Sequence, residues 1–200
     1  MKLKICGMKY PENIYQVGQL LPDYMGFIFW EKSSRYFDGE LPSLPVSIQK
    51  TGVFVDETPA EIISKIDKYE LNLVQLHGNE TPDIFRKIRY KNVQTIKVFS
   101  LNEDFDFRQI EPFLDVCDYF LFDTKGKLPG GNGSKFNWDI LQKYTYSKPI
   151  FLSGGIGPED ITAIKKLGLP IHAIDVNSRF ELAPGLKDYK LLRQFQIQLL

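Results

Sequence analysis

Short apolar runs recur along this chain at a spacing of roughly 20 to 25 residues, with amphipathic stretches between them. The runs are LKIC (3–6), YMGFIF (24–29), TGVFV (51–55), LNLVQL (71–76), VQTIKVF (93–99), DYFLFD (118–123), PIFLS (149–153) and IHAIDV (171–176). The intervening stretches carry helix signals. Pro11 stands in a first-turn position, Thr58 precedes Pro59 with Glu61 in capping-box spacing, and Gly168 supplies a stop. Further helices are expected over DFDFRQIEPFL, NWDILQKY, from Pro158 in GPEDITAIKKLG, and over the closing KDYKLLRQFQIQLL. The stretch DGELPSLPVSIQ (38–49), with two prolines, reads as a loop holding a short helix at best.

Eight strands alternating with helices predict an α/β chain, a single-domain (β/α)8 TIM barrel over residues 1–200. A dinucleotide-binding open sheet would place GxGxxG straight after its first strand, and KICGMKYPEN holds one glycine there. No linker, repeat or low-complexity segment marks a second domain.

Lys plus Arg equals Asp plus Glu at 25 each, so no bulk field recruits nucleic acid or an anionic membrane. No apolar run approaches the roughly 18 residues of a membrane span, and the N-terminal MKLKICGM lacks a signal-peptide core. A cytoplasmic protein is expected. Cys6 and Cys117 are too few for a disulfide framework, and metal-ligand spacings are missing, so neither metal nor cofactor is expected. The expected partner is a small molecule, and monomer and homodimer both stay open.

In such a barrel, function gathers at the carboxyl ends of the strands. There, Gly154, Gly155 and Gly157 separate strand seven from a helix start, where bare backbone N–H groups can meet an anion; a tight turn is the other explanation. The long loop after strand six holds Gly126, Gly130, Gly131 and Gly133, as a lid or as a plain surface loop. Asp123 closes strand six as an acid–base candidate or a turn residue. Cys6 ends strand one, a packed thiol or a reactive one; alternation puts Lys4 on its face, where a cation favours thiolate. Lys4 and Asp175 of strand eight are expected to approach each other inside the barrel, since a lone charge there is costly. Arg35 is an exposed ion-pairing residue or a fork for carboxylate or phosphate, and His77 a structural hydrogen-bonder or a substrate contact. Cys117, away from the mouth, reads as structural.

Together, KICGM, GFIFWEKSSRYF, GVFVDE, VQLHGNE, FDTKGKLPGGNGSKFNW, LSGGIGPEDI and AIDVNSRFELAPGLKD resemble the phosphoribosylanthranilate isomerases, in the family's order and across almost the whole chain. The resemblance implies a cofactor-free barrel that carries out an Amadori rearrangement in tryptophan biosynthesis. It implies Asp123 as general acid and Cys6 as general base, which requires the thiol pKa to move down and the carboxyl pKa up. It puts Arg35 opposite the anthranilate carboxylate. The phosphate falls to the glycines after strands six and seven (Gly130, Gly131, Gly154, Gly155) and to Asn177 and Ser178; His77 and Asp175 are further expected substrate contacts from their own places at the ends of strands four and eight.

Two positions depart from the family's pattern. Ser34 stands where proline is common before the arginine, so the loop loses a φ restraint. Arg179 stands where glycine commonly follows the serine, which changes the amide geometry but brings a guanidinium near the phosphate. The alternatives are another sugar-phosphate barrel isomerase, such as the histidine-pathway enzyme, and a non-catalytic phosphate-ligand barrel.

Overall fold

A computed structural model describes residues 1–124 and 138–199. Among them, eight parallel strands close into a barrel in sequence order: β1 (Lys2–Ile5), β2 (Tyr24–Ile28), β3 (Gln49–Phe54), β4 (Leu73–Leu76), β5 (Gln94–Leu101), β6 (Tyr119–Thr124), β7 (Ile150–Leu152) and β8 (Ile171–Val176), with β8 pairing back onto β1. The (β/α)8 expectation is met, and each strand falls on its apolar run or within a residue or two of it.

The helices are α1 (Pro11–Gly18), α2 (Pro59–Tyr69), α3 (Pro82–Ile88), α4 (Ile161–Lys165) and α5 (Tyr189–Leu199). In α2 the local chemistry is plain. Thr58 Oγ1 accepts from Glu61 N at 3.2 Å, Pro59 fills the first turn, and Ile62, Ile66 and Tyr69 bury one face at helical spacing. Three expected helices are cut down. Phe107–Phe113 is a 3-10 helix interrupted by Pro112, which has no N–H to donate, and Trp138–Lys143 is also 3-10. The helix expected from Pro158 is a 3-10 turn, Pro158–Asp160, followed by only the five residues of α4. Residues 38–48 form no helix, in keeping with Pro42 and Pro45.

A hairpin not foreseen from the sequence follows β8: β9 (Glu181–Ala183) pairs antiparallel with β10 (Leu186–Lys187). Gly185 turns it at φ +83°, a region closed to most side chains. No helix among the described residues is long and apolar enough to cross a membrane.

Strand alternation sorts the core into two shells. Leu3 and Ile5 of β1 join the outer layer under the helices, while Tyr24, Leu73, Ile96, Val98, Leu121, Phe151 and Ala173 fill the barrel axis. This apolar plug occupies the amino-terminal part of the axis. The inward positions further along the strands (Lys4, Gln75, Asp123 and Asp175) are polar and buried. The chain thus closes one end with hydrophobic packing and spends its buried charge at the other.

Candidate active site

The β1–β8 register sets Lys4 beside Asp175, and Lys4 Nζ lies 2.9 Å from Asp175 Oδ2 with both side chains buried. Burial works against the Lys4 ammonium, but Asp175 and Cys6 outweigh it and hold its pKa above the ordinary value. Burial raises the Asp175 carboxyl above its ordinary value against the pull of Lys4 and Lys187, and the 2.9 Å contact with the Lys4 ammonium keeps the two as an ion pair.

Cys6 follows on the same face and is 5% exposed. Burial pushes its thiol up, the Lys4 charge pulls it down, Asp175 pushes it up again and Lys187 pulls it down. The net direction is up, against the lowering expected for a base. The physical reason is that the Lys4 cation is largely spent on Asp175, so desolvation of the thiolate wins. Gly26 of β2 makes room for the sulfur: a Cβ there would sit 2.7 Å from Cys6 Sγ.

Asp123, at the end of β6, is also buried. His77 Nε2 lies 3.6 Å from Asp123 Oδ2, beyond hydrogen-bond length. Burial first, then the Lys4 and Lys97 charges, push the imidazole down to about 3, so His77 is neutral. Its loop is tied from below. Glu80 accepts from Asp56 N and Gly78 N at 3.0 Å and from Lys97 Nζ at 3.0 Å, and Lys97 also donates to Gly78 O at 2.7 Å.

Cys6, Arg35, His77, Asp123, Asp175 and Asn177 line one cavity of about 90 Å³, together with Trp30, Gln75 and Ser153. A larger groove of about 750 Å³, between residues 39–46 and the end of α2, contains none of them. Gln75 Oε1, His77 Nε2 and Asp175 Oδ1 in the small cavity are buried with no hydrogen-bond partner among the described residues. Buried polar atoms are ordinarily paired, so three unpaired ones around one cavity point to a polar ligand.

Arg35 reaches this cavity with its guanidinium held by Glu181: Nε donates to Oε1 at 2.9 Å and Nη2 to Oε2 at 2.7 Å. The missing proline at Ser34 is offset locally, because Ser33 Oγ accepts from Arg35 N at 3.1 Å. Asn177 Oδ1 accepts from Lys187 Nζ at 2.6 Å. Gly7, at φ +74°, lets the chain pass: a Cβ there would meet Arg35 Cδ and Asn177 Oδ1, each at 2.7 Å.

Gly154 and Gly155 both take positive φ, at +96° and +67°, directly after the cavity residue Ser153. The expectation for Gly157 needs correction. Its N–H donates to Asp160 Oδ2 at 2.8 Å, which takes it out of reach of an anion, and the short α4 adds little dipole. Ser178 opens the 3-10 turn Ser178–Phe180 just beyond Asn177. Arg179 pairs with Glu159 at 2.7 Å, its guanidinium carbon 2.9 Å from where a Gly157 Cβ would stand. Gly130 and Gly131, with the rest of the loop after β6, lie outside the described residues.

Two features escaped sequence reasoning. Lys187 and the role of Glu181 depend on the β9–β10 hairpin; the signal was the pair of charged residues flanking Pro184-Gly185 in ELAPGLKD. The Glu80–Lys97 pair joins the loop after β4 to strand β5, and nothing in either segment alone announces it.

Residues 3–198 match the family model described as N-(5'phosphoribosyl)anthranilate (PRA) isomerase. An N-(5'-phosphoribosyl)anthranilate isomerase of Phocaeicola vulgatus is 42% identical over all of this chain and 98% of its own length. The phosphoribosyl anthranilate isomerase of Thermotoga maritima superposes with a TM-score of 0.83 at 30% identity, over 100% of this chain and 98% of that one. A further isomerase, solved in complex with reduced 1-(o-carboxyphenylamino)-1-deoxyribulose 5-phosphate, gives 0.85 at 28% identity over the same shares. With a barrel of this topology and a family match along nearly its whole length, this chain belongs to the N-(5'-phosphoribosyl)anthranilate isomerase family.

Proposed function

We propose that this chain, working as a single barrel, catalyses the Amadori rearrangement of N-(5-phosphoribosyl)anthranilate to 1-(2-carboxyphenylamino)-1-deoxyribulose 5-phosphate in tryptophan biosynthesis. The observation that carries the assignment of roles is the shared cavity. Cys6 and Asp123 line one space with unpaired polar atoms on Gln75, His77 and Asp175.

Asp123, as a carboxylic acid, protonates the furanose ring oxygen; the C1–O bond breaks and the anilino nitrogen's electron pair forms the C1=N bond of a Schiff base. Cys6, as a thiolate, takes the proton from C2; the C–H electrons form C1=C2 and neutralise the nitrogen, giving an enolamine. Proton return to C1 and loss of the O2 proton leave the ketone. Oxidation at C2 is matched by reduction at C1 within the same molecule, so the reaction itself asks for no external electron carrier. The working state needs thiolate and carboxylic acid together, the reverse of how the two groups ionise in water at neutral pH.

The resting thiol fits this scheme if substrate binding changes the balance at Cys6. The two cations beside it, Lys4 and Lys187, favour thiolate; a hydroxyl of the sugar at Asp175 Oδ1 would disperse the one charge that opposes it. The polyol has partners in the three unpaired atoms, and the positive-φ turn at Gly154 and Gly155 leaves bare backbone for the phosphate. Arg35 meets the aromatic carboxylate. The relative crystallised with the reduced product supports a small phosphorylated ligand for this cavity.

The pathway assignment is tested by complementation. Expressed in a tryptophan auxotroph lacking this one step, the chain should restore growth without tryptophan. A well-expressed, folded chain that fails to do so would refute the assignment.

A further inference from the structure

The network behind Arg35 holds more than one arginine needs. Glu181 is a buried carboxylate, its side chain 5% exposed, that receives Arg35 through two nitrogens, Lys187 Nζ at 2.7 Å and Gly185 N at 3.0 Å. Burial alone would raise its pKa, but Arg35 and Lys187 hold it below the ordinary range, so it is ionised. Two cations and one carboxylate leave this cluster with one surplus positive charge. A buried surplus of that kind is costly unless an anion joins it.

Geometry says which edge the anion meets. A guanidinium has five N–H donors in a rigid plane, and Glu181 takes the Nε–Nη2 edge. Among the described residues the Nη1 edge and the second Nη2 hydrogen are left, and Arg35 lines the cavity. An unheld arginine would lose rotamer freedom on meeting its ligand; this one has lost it in advance.

We propose that Glu181 is a positioning residue: it fixes Arg35 edge-on to the substrate's aromatic carboxylate, with Lys187 as the buried counter-charge that keeps Glu181 in place. The proposal rests on the reading that Arg35 meets that carboxylate.

The test compares two ligands by titration calorimetry: reduced 1-(o-carboxyphenylamino)-1-deoxyribulose 5-phosphate, and its counterpart lacking the ring carboxylate. The wild type should prefer the first. Glu181→Gln keeps the shape but frees the arginine. It should weaken the carboxylated ligand about tenfold, the order of one charge-assisted hydrogen bond, and leave the other ligand unchanged. If Glu181→Gln strands Lys187 and fails to fold, Glu181→Gln/Lys187→Met removes both buried charges and should give the same ligand-selective loss. Equal weakening of both ligands would mean a merely structural role and overturn the proposal. So would a Glu181→Gln variant that discriminates as the wild type does. A wild type and an Arg35→Gln variant that both ignore the carboxylate would bring down the Arg35 reading itself.

Discussion

Lys4 and Asp175 meet across the β1–β8 seam with Nζ and Oδ2 2.9 Å apart, both fully inside the barrel. The pair stands where apolar filling gives way to the cavity that holds Cys6. Removing one partner strands the other charge, which costs far more than removing both. Lys4→Met should therefore lower stability by about 3–5 kcal/mol, and Lys4→Met/Asp175→Asn should recover most of it. Urea unfolding of the three proteins decides this. A Lys4→Met variant as stable as wild type would contradict the charged pair.

His77 gives the fold a signed dependence on acid. In the unfolded chain a histidine takes up its proton near pH 6.5, whereas His77 stays neutral in the fold down to about pH 3. Its contribution is complete above pH 6.5 and is lost as pH falls toward 3, amounting to about 2 kcal/mol between pH 7 and pH 5. His77→Asn should flatten that part of the stability curve. Identical slopes for variant and wild type between pH 7 and 5 would show that the imidazole is not held neutral.

Gly155, at φ +67°, is expected to touch phosphate through bare backbone, and Gly168 offers a matched control at φ +66° with nothing around its missing Cβ. Aspartate at either site meets similar backbone strain, but only Gly155→Asp puts a carboxylate beside the anion. Its KM should rise tenfold or more while Gly168→Asp stays near wild type, about 1.4 kcal/mol or more being a modest charge repulsion. Similar KM values for the two variants would remove the phosphate role.

Much of this could be read from the chain because periodicity two is loud in a barrel. Leu3 and Ile5 outward against Lys4 and Cys6 inward already implied the Lys4–Asp175 contact, since closure makes strand eight the neighbour of strand one. Helix type was less legible. Pro112 and the side chain of Asp160 decide the matter locally, and Asp160 also withdraws the Gly157 amide from the anion site. The direction of the Cys6 pKa was missed for a different reason. A cation on the same face was visible, but how much of it Asp175 consumes, and how much burial costs the thiolate, are properties of the closed barrel. The Arg35–Glu181–Lys187 cluster depends on a hairpin with two-residue and three-residue strands, too short for any periodicity to show.

The central claim is that Cys6 and Asp123 perform the proton transfers. The most direct measurement follows the fluorescence of freshly made phosphoribosylanthranilate, which falls as the compound rearranges, with wild type, Cys6→Ser and Asp123→Asn, each confirmed folded by circular dichroism. Wild type should consume the substrate rapidly, and each variant should be slower by about 10²–10⁴-fold, the usual contribution of a positioned acid or base. Full activity in either variant would contradict the role given to that residue, and a folded wild type that leaves the fluorescence unchanged would contradict the account as a whole.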